Sequence, residues 1–473
     1  MSMSGLLVSS GRYLRLAFGR GQISGDVQRR HVRIVQGITS GLAGRGVGVL
    51  VSFFSVPLTV RYLGAERYGA WVTISTAIAW IAIADVGLSS SLTNAVSEGY
   101  ANDQRGLARA HVAAAFWSLV AIAGLLFIVF LSVWHSVHWD RVFNVQTATA
   151  RAEVGPTVAI ALAIFALNLP FSIIAKIYGA YQEVAIANGW TAAGSILSLA
   201  ALVAVTQLKG GLPSLVIAIS GTTLLVNFVS ALWLFGWSKP WLFPDPRRVT
   251  WHAVRRLSSQ GWMFFVIQIA ALVLFQTDNI IIAHYLGAAA VTPYSVTWRL
   301  FAYTTIFQTL AIPSFWPAYA EAFSRGDRGW VRHSFRFNLG ISVVSTLALA
   351  TPLVFFGHWV IQKWAGSAAV PPAVLLVLMA IWNIIYVVGC SQSCILASSS
   401  RLRGQMIYSL AAAAVNLIVT ILLVPRIGIS GAILGTISAY ATCALVPQWI
   451  EVQHALRDAP QMGTDVPMGV LEQ

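Results

Sequence analysis

Long apolar runs recur along almost the whole chain and dominate its pattern. Each is about 20 residues or longer, which is the length an α-helix needs to span the hydrocarbon core of a bilayer. About twelve such runs occur, near residues 35–60, 69–96, 110–134, 157–179, 184–206, 212–236, 258–284, 288–318, 336–356, 371–396, 405–424 and 428–449. Strands of a transmembrane barrel alternate over only about ten residues. The pattern therefore predicts an all-α integral membrane protein with about twelve transmembrane helices.

Composition and charge support this prediction. Of the 473 residues, 57% are hydrophobic and 10% are charged, whereas a soluble domain carries about 25% charged residues. The net charge of +14 would indicate a nucleic-acid partner in a soluble protein. With a cytoplasmic N-terminus and alternating helices, 21 of the 30 Lys and Arg residues fall on the cytoplasmic side and 7 on the other. This asymmetry follows the positive-inside rule, so we expect both termini in the cytoplasm and no nucleic-acid partner.

The chain also repeats itself. Tyr62-Leu63-Gly64-Ala65 precedes the second run, and Tyr285-Leu286-Gly287-Ala288 precedes the eighth, 223 residues later. Six runs followed by six, beginning on the same side, predict two six-helix lobes with a substrate site between them. The predicted division is a basic tail at 1–34, an N-terminal lobe at 35–236, a cytoplasmic linker at 237–257, a C-terminal lobe at 258–450 and a cytoplasmic tail at 451–473.

Two arginines lie within predicted spans. Arg45 is the only charge in 37–57, and Arg299 is the only charge in 288–313. A cation at the centre of a bilayer costs roughly 2.5–3.5 kcal/mol on insertion scales, so such residues face a partner or a watery cavity. The guanidinium group binds phosphate through paired hydrogen bonds. We therefore interpret Arg45 and Arg299 as substrate-binding residues, with Tyr303 one helical turn from Arg299 on the same surface.

A structural role is the alternative for both arginines. Arg45 would then pair with Asp85 of the second run, and Arg299 with Asp278 of the seventh. Intramembrane carboxylates also serve as sites for coupling ions or protons. Asp85 and Asp278 are therefore candidates either for ion coupling or for ion pairs, and the residues alone leave the two interpretations open.

Motifs for covalent chemistry do not occur. The sequence contains no P-loop, no GxSxG and no HExxH motif. We expect a protein that is not an enzyme, with no catalytic residue, no bound metal and no cofactor.

The segment Pro57–Trp71, PLTVRYLGAERYGAW, follows a glycine-rich first run and precedes Asp85-Val86-Gly87-Leu88. In this order the segments resemble the start of the polysaccharide transporters of the MOP exporter superfamily, above all the Wzx-type flippases of O-antigen and other lipid-linked oligosaccharides. The resemblance implies the V-shaped, MATE-like transporter fold. It also implies a location in the bacterial inner membrane.

The resemblance further implies a flippase. Such a protein moves undecaprenyl-diphosphate-linked repeat units from the cytoplasmic to the periplasmic leaflet by alternating access, for O-antigen, capsule or exopolysaccharide synthesis. The implied partners are the lipid-linked oligosaccharide, membrane lipids, and the polysaccharide polymerase and chain-length machinery. The alternative is a MATE-type antiporter of drugs or metabolites coupled to a cation. That class is expected to carry a carboxylate in the first helix, where this chain has Arg45.

Overall fold

The computed structural model describes residues 26–85, 88–101, 104–181, 183–399 and 402–457. Within these ranges the chain forms helices and turns and no β-strand. Helices of eight or more residues are α1 (Asp26–Ile81), α2 (Leu88–Ala101), α3 (Arg105–Val133), α4 (Ala148–Asn168), α5 (Ile173–Ala180), α6 (Val184–Gln207), α7 (Thr222–Trp233), α8 (Trp251–Leu286), α9 (Ala288–Ala302), α10 (Ile306–Ser324), α11 (Arg328–Trp364), α12 (Ala373–Ser398), α13 (Leu402–Ile427), α14 (Ser430–Tyr440) and α15 (Val446–Arg457).

In the described ranges, ten helices are long and apolar enough to cross a membrane. The prediction from sequence was about twelve spans. The run near 69–96 begins inside α1, which joins two helices across a non-helical Gly64. The run near 288–318 is divided into α9 and α10 by the 3-10 segment Tyr303–Thr305. The chain is a multi-pass α-helical membrane protein.

The two YLGA segments share one backbone conformation. Gly64 has φ 76° and ψ 175°, and Gly287 has φ 88° and ψ 160°. Glycine adopts positive φ without the steric penalty that a Cβ brings. Each glycine ends one helix and starts the next, so the sequence repeat of 223 residues corresponds to a repeated helix break.

Helix starts follow from local hydrogen bonding. The Thr250 hydroxyl accepts a hydrogen bond from Ala253 N at 3.3 Å and begins α8. Thr147 does the same for α4 through Ala150 N, also at 3.3 Å. Such caps satisfy backbone N–H groups that have no partner within the helix.

The chain divides into two compact units. Unit 1 comprises the described residues up to Leu272 together with Ile282–Ser295 and Gln362–Ala369. Unit 2 comprises Val273–Ile281, Val296–Ile361 and the described residues from Val370 onward. The lobe boundaries at 236 and 258 that we predicted from sequence are a different division and stay a prediction.

The core of unit 1 is built largely from α2, α3 and α5. Leu92, Val112, Leu119 and Ile177 are fully buried there, among many alanines. Small side chains let helix backbones approach closely in a membrane protein, where dispersion contacts replace the hydrophobic effect between helices. In unit 2 a separate core joins α10, α11, α12 and α15 through larger side chains. Its members include Tyr319, Phe335, Ile395 and Val452.

The segment 237–257, predicted as a linker, packs into unit 1. Leu242 is fully buried. Lys239 Nζ lies 2.6 Å from a carboxylate oxygen of Glu183 and 4.7 Å from the ring centroid of Tyr181. The segment is thus anchored at the turn between α5 and α6 by an ion pair and a cation–π contact.

Candidate functional site

Arg299 lies in the last turn of α9 with an exposed side chain. It forms no ion pair with any residue in the described part of the chain. Tyr303 follows at the start of the 3-10 segment and is half-buried. The structure therefore leaves the Arg299 side chain exposed and buries the hydroxyl oxygen of Tyr303, one turn further on.

Asp278 lies on α8 in unit 2 and is buried, with 3% of its surface exposed. The Thr436 hydroxyl donates to Asp278 Oδ2 at 3.2 Å. Asn416 Nδ2 in turn donates to Thr436 Oγ1 at 2.9 Å. The predicted Arg299–Asp278 ion pair is not formed. The carboxylate instead accepts from the Thr436 hydroxyl of α14, which in turn accepts from the Asn416 amide of α13, and a buried polar group needs such a partner.

Asp85 ends the 3-10 segment Ala82–Asp85 and is half-buried. Its Oδ1 accepts a hydrogen bond from Ser89 N at 3.1 Å, in the first turn of α2. The carboxylate thus lies at the N-terminus of α2, where a negative charge interacts favourably with the helix dipole.

Arg45 belongs to α1, but its side chain lies outside the described part of the structure. Its predicted pairing with Asp85 and its predicted role in substrate binding therefore stay predictions. The predicted terminal tails also lie mainly outside the described ranges, which begin at residue 26 and end at residue 457.

Sequence reasoning missed an aromatic cavity in unit 2. It has a volume of about 290 Å³ and lies between α8, α9, α10 and α12. Its aromatic walls are Phe275, Trp298, Trp382 and Tyr386. A signal existed, because Trp298 lies next to Arg299, and Trp382 and Tyr386 are four residues apart on one helix. Aromatic residues are common in apolar helices, however, so their number alone does not identify a site.

A second missed feature is a buried polar network in unit 2. Gln308 Nε2 on α10 donates to Ser391 Oγ on α12 at 2.9 Å, and Ser342 Oγ on α11 donates to Gln308 Oε1. All three residues are buried. Interhelical hydrogen bonds of this kind hold membrane helices together, so the network explains how three helices of unit 2 associate.

Comparison with known proteins agrees with this architecture. A family model described as "Polysaccharide biosynthesis protein" matches residues 34–322. The chain belongs to this family. Two relatives match at 25% and 22% identity: a "Putative O-antigen transporter" of Salmonella typhi and a "Putative O-antigen export protein" of Yersinia pseudotuberculosis. The matches cover 57% and 60% of this chain and 61% and 65% of those relatives.

The fold of this chain is similar to that of solved transporter structures. A multidrug resistance MATE family transporter of the MOP superfamily, in an inward-facing conformation, superposes with a TM-score of 0.72 at 13% identity. The superposition covers 94% of this chain and 98% of that one. The predicted MATE-like, all-α fold is confirmed. The relatives and this neighbour are described as transporters or export proteins rather than as enzymes.

Proposed function

We propose that this polysaccharide biosynthesis family member is a flippase for polyprenyl-diphosphate-linked oligosaccharides. It moves the repeat unit from the cytoplasmic to the periplasmic leaflet of a bacterial inner membrane by alternating access, with both termini in the cytoplasm. Family membership and the O-antigen relatives support a role in surface polysaccharide export. The protein would bind and release its substrate without forming or breaking a covalent bond.

The observation that carries the proposal is the accessible, unpaired Arg299 on α9. A diphosphate is a multiply charged anion that bare hydrocarbon excludes. A guanidinium binds phosphate oxygens with two parallel, charge-assisted hydrogen bonds. Arg45 and Tyr303 stay predicted substrate-binding residues, and Tyr303 would have to expose its buried hydroxyl in order to donate to the substrate. The polyprenyl chain would stay in the lipid.

A second candidate function rests on Asp278. A buried carboxylate beside Thr436 and Asn416 is a reasonable site for a coupling ion or proton. In a MATE-type antiporter such a site would couple a cation to drug or metabolite export. In the flippase the same carboxylate, or Asp85, would couple an ion to movement of the lipid-linked sugar.

The test uses a bacterial strain that lacks its own flippase and carries Arg299→Ala, Arg299→Lys or the unchanged protein. We expect Arg299→Ala to reduce surface polysaccharide by about tenfold or more, because it removes a charge-assisted contact of about 1.5–3 kcal/mol. Arg299→Lys should give an intermediate amount of surface polysaccharide. Lysine keeps the positive charge but lacks the two parallel N–H donors of the guanidinium.

Arg426→Ala is the matched control, because Arg426 is also an exposed arginine near the end of a long apolar helix. It should leave export unchanged. Normal surface polysaccharide from Arg299→Ala at wild-type protein levels would contradict the proposed site. Unchanged polysaccharide export in the strain lacking this protein, together with increased sensitivity to cationic drugs, would favour the antiporter.

A further inference from the structure

The geometry of the aromatic cavity points to a sugar-binding subsite. We propose that it holds one neutral pyranose ring, namely the sugar attached directly to the diphosphate. The inference rests on the proposed flippase function and names the part of the substrate that this cavity would recognise.

The walls of the cavity present flat aromatic surfaces. The rings of Trp298 and Trp382 stack at 29°, with centroids 6.1 Å apart. Phe275 lies 6.1 Å from Trp382, and Tyr386 lies 6.0 Å from it. Aromatic side chains offer large, rigid contact surfaces at little entropic cost. The apolar C–H face of a pyranose ring fits such surfaces.

Two polar side chains that line the cavity, Thr305 and Asn383, can accept hydrogen bonds from a ligand. The Thr305 hydroxyl donates to Ala302 O at 2.9 Å, which leaves its oxygen lone pairs for a ligand. Asn383 donates its amide to Met379 O at 2.7 Å, which leaves its side-chain carbonyl as an acceptor. Sugar hydroxyls can donate to both groups. A cavity with an amide and aromatic faces therefore suits a sugar ring better than it suits a hydrocarbon chain.

The lining of the cavity is uncharged, which makes it unsuitable for the diphosphate of the substrate. Among the residues that the structure describes, the side chains that line the cavity include no Asp, Glu, Lys or Arg. A diphosphate would find no counter-charge there, and a cationic drug would find no carboxylate. The volume of about 290 Å³ is at the lower end for ligand pockets, roughly 300–1,000 Å³. This size suits one monosaccharide rather than a whole repeat unit.

The position of Arg299 selects which sugar would bind. Trp298 and Ala302 of α9 line the cavity one turn apart, and Thr305 and Thr309 continue the same side of the chain. Arg299 lies three residues before Ala302 on α9 and so neighbours this stripe on the helix surface. A diphosphate held at Arg299 would therefore place its attached sugar, and no later one, beside the cavity.

The experiment measures binding of two probes to the full-length protein in nanodiscs. One probe is farnesyl diphosphate. The other is farnesyl diphosphate carrying a single N-acetylglucosamine, N-acetylgalactosamine, glucose or galactose. We expect at least one sugar-bearing probe to bind about tenfold more tightly than the bare diphosphate, the scale of one or two aromatic contacts. Trp298→Leu should abolish that difference and leave binding of farnesyl diphosphate unchanged.

Three further variants distinguish loss of the subsite from a general loss of structure. Trp298→Phe should retain most of the preference for the sugar-bearing probe, since it keeps an aromatic face. Trp359→Leu should change nothing, because Trp359 is an exposed tryptophan on α11 that does not line the cavity. Arg299→Gln should weaken both probes equally.

The failures of the two proposals are distinguishable. Equal affinity of the bare probe and all four sugar-bearing probes for the unchanged protein would overturn the subsite and leave the diphosphate site standing. A Trp298→Leu variant that keeps the sugar preference would also overturn it. Failure of every probe to bind the unchanged protein would overturn the proposed flippase function and the subsite that rests on it.

Discussion

Gly69 on α1 packs directly against the backbone of Ala288 at the start of α9. A Cβ on Gly69 would lie 2.7 Å from the carbonyl carbon of Ala288 and would overlap its oxygen. Nearby, the Thr292 hydroxyl donates to Ala65 O at 2.5 Å. Residues 65 and 69 correspond to 288 and 292 through the repeat of 223 residues. Each contact is therefore the counterpart of the other, as in a two-fold interface where two equal surfaces meet.

This close approach predicts opposite effects for two glycine substitutions. Gly69→Ala should lower the stability of the protein by about 1–3 kcal/mol, because the new methyl group overpacks a backbone contact. Gly179→Ala, in helix α5 with nothing within 4 Å of its added Cβ, should be neutral or stabilising by about 0.5–1 kcal/mol. Thermal unfolding in detergent measures both. Equal melting temperatures for the two variants would show that the helices around Gly69 accommodate a methyl group without loss of stability.

The Lys239–Glu183 ion pair predicts strong coupling between two substitutions. Both side chains are largely buried, with 11% and 27% exposed. Lys239→Met or Glu183→Gln alone leaves one charge without its partner. Each should lower the free energy of unfolding by about 1–3 kcal/mol. The double variant should lose less stability than the two single variants lose when their losses are added. We expect the difference to be about 1 kcal/mol or more. A double-mutant cycle on thermal stability measures the coupling. Additive effects would mean that Tyr181 and solvent, rather than Glu183, compensate Lys239.

We expect the Asp278→Asn variant to lose transport while it still folds. Asp278→Asn keeps an acceptor for the Thr436 hydroxyl but removes the charge. If the carboxylate couples an ion to transport, the variant should bind farnesyl diphosphate normally and transport about tenfold more slowly or worse. Its transport should also lose dependence on the ion gradient in proteoliposomes. Thr436→Val is the companion variant, since it retains the charge and removes the hydroxyl donor. Gradient-dependent transport by Asp278→Asn at the wild-type rate would assign Asp278 a purely structural role.

If both termini lie in the cytoplasm, as we propose, two exposed positions should be labelled from opposite sides of the membrane. Leu208 is 81% exposed after α6, and Trp251 is 77% exposed at the start of α8. In a variant whose native cysteines, Cys390, Cys394 and Cys443, are replaced, a membrane-impermeant maleimide added to whole cells should label Leu208→Cys. It should label Trp251→Cys only after the cells are opened. The reverse result would invert the topology that the arginine asymmetry predicts.

The sequence by itself determined the membrane class, the all-helical architecture and the repeat. Hydrocarbon thickness sets the length of a span, and a backbone without water must satisfy its own hydrogen bonds, so apolar runs predict helices directly. The repeated YLGA segments predicted equivalent points in two halves, and Gly64 and Gly287 share a positive φ there. Arg299 stood out for the same reason, since a single cation in an apolar run is costly.

Only the tertiary structure decided which side chains meet. Asp278 contacts Thr436 rather than Arg299, and the aromatic cavity combines residues from α8, α9, α10 and α12. In a soluble helix the polar face shows which side points outward. A membrane helix is apolar toward lipid and toward its neighbours alike, so hydrophobic periodicity carries little information about its facing. Close packing and interhelical hydrogen bonds set that facing, and they depend on partners distant in sequence.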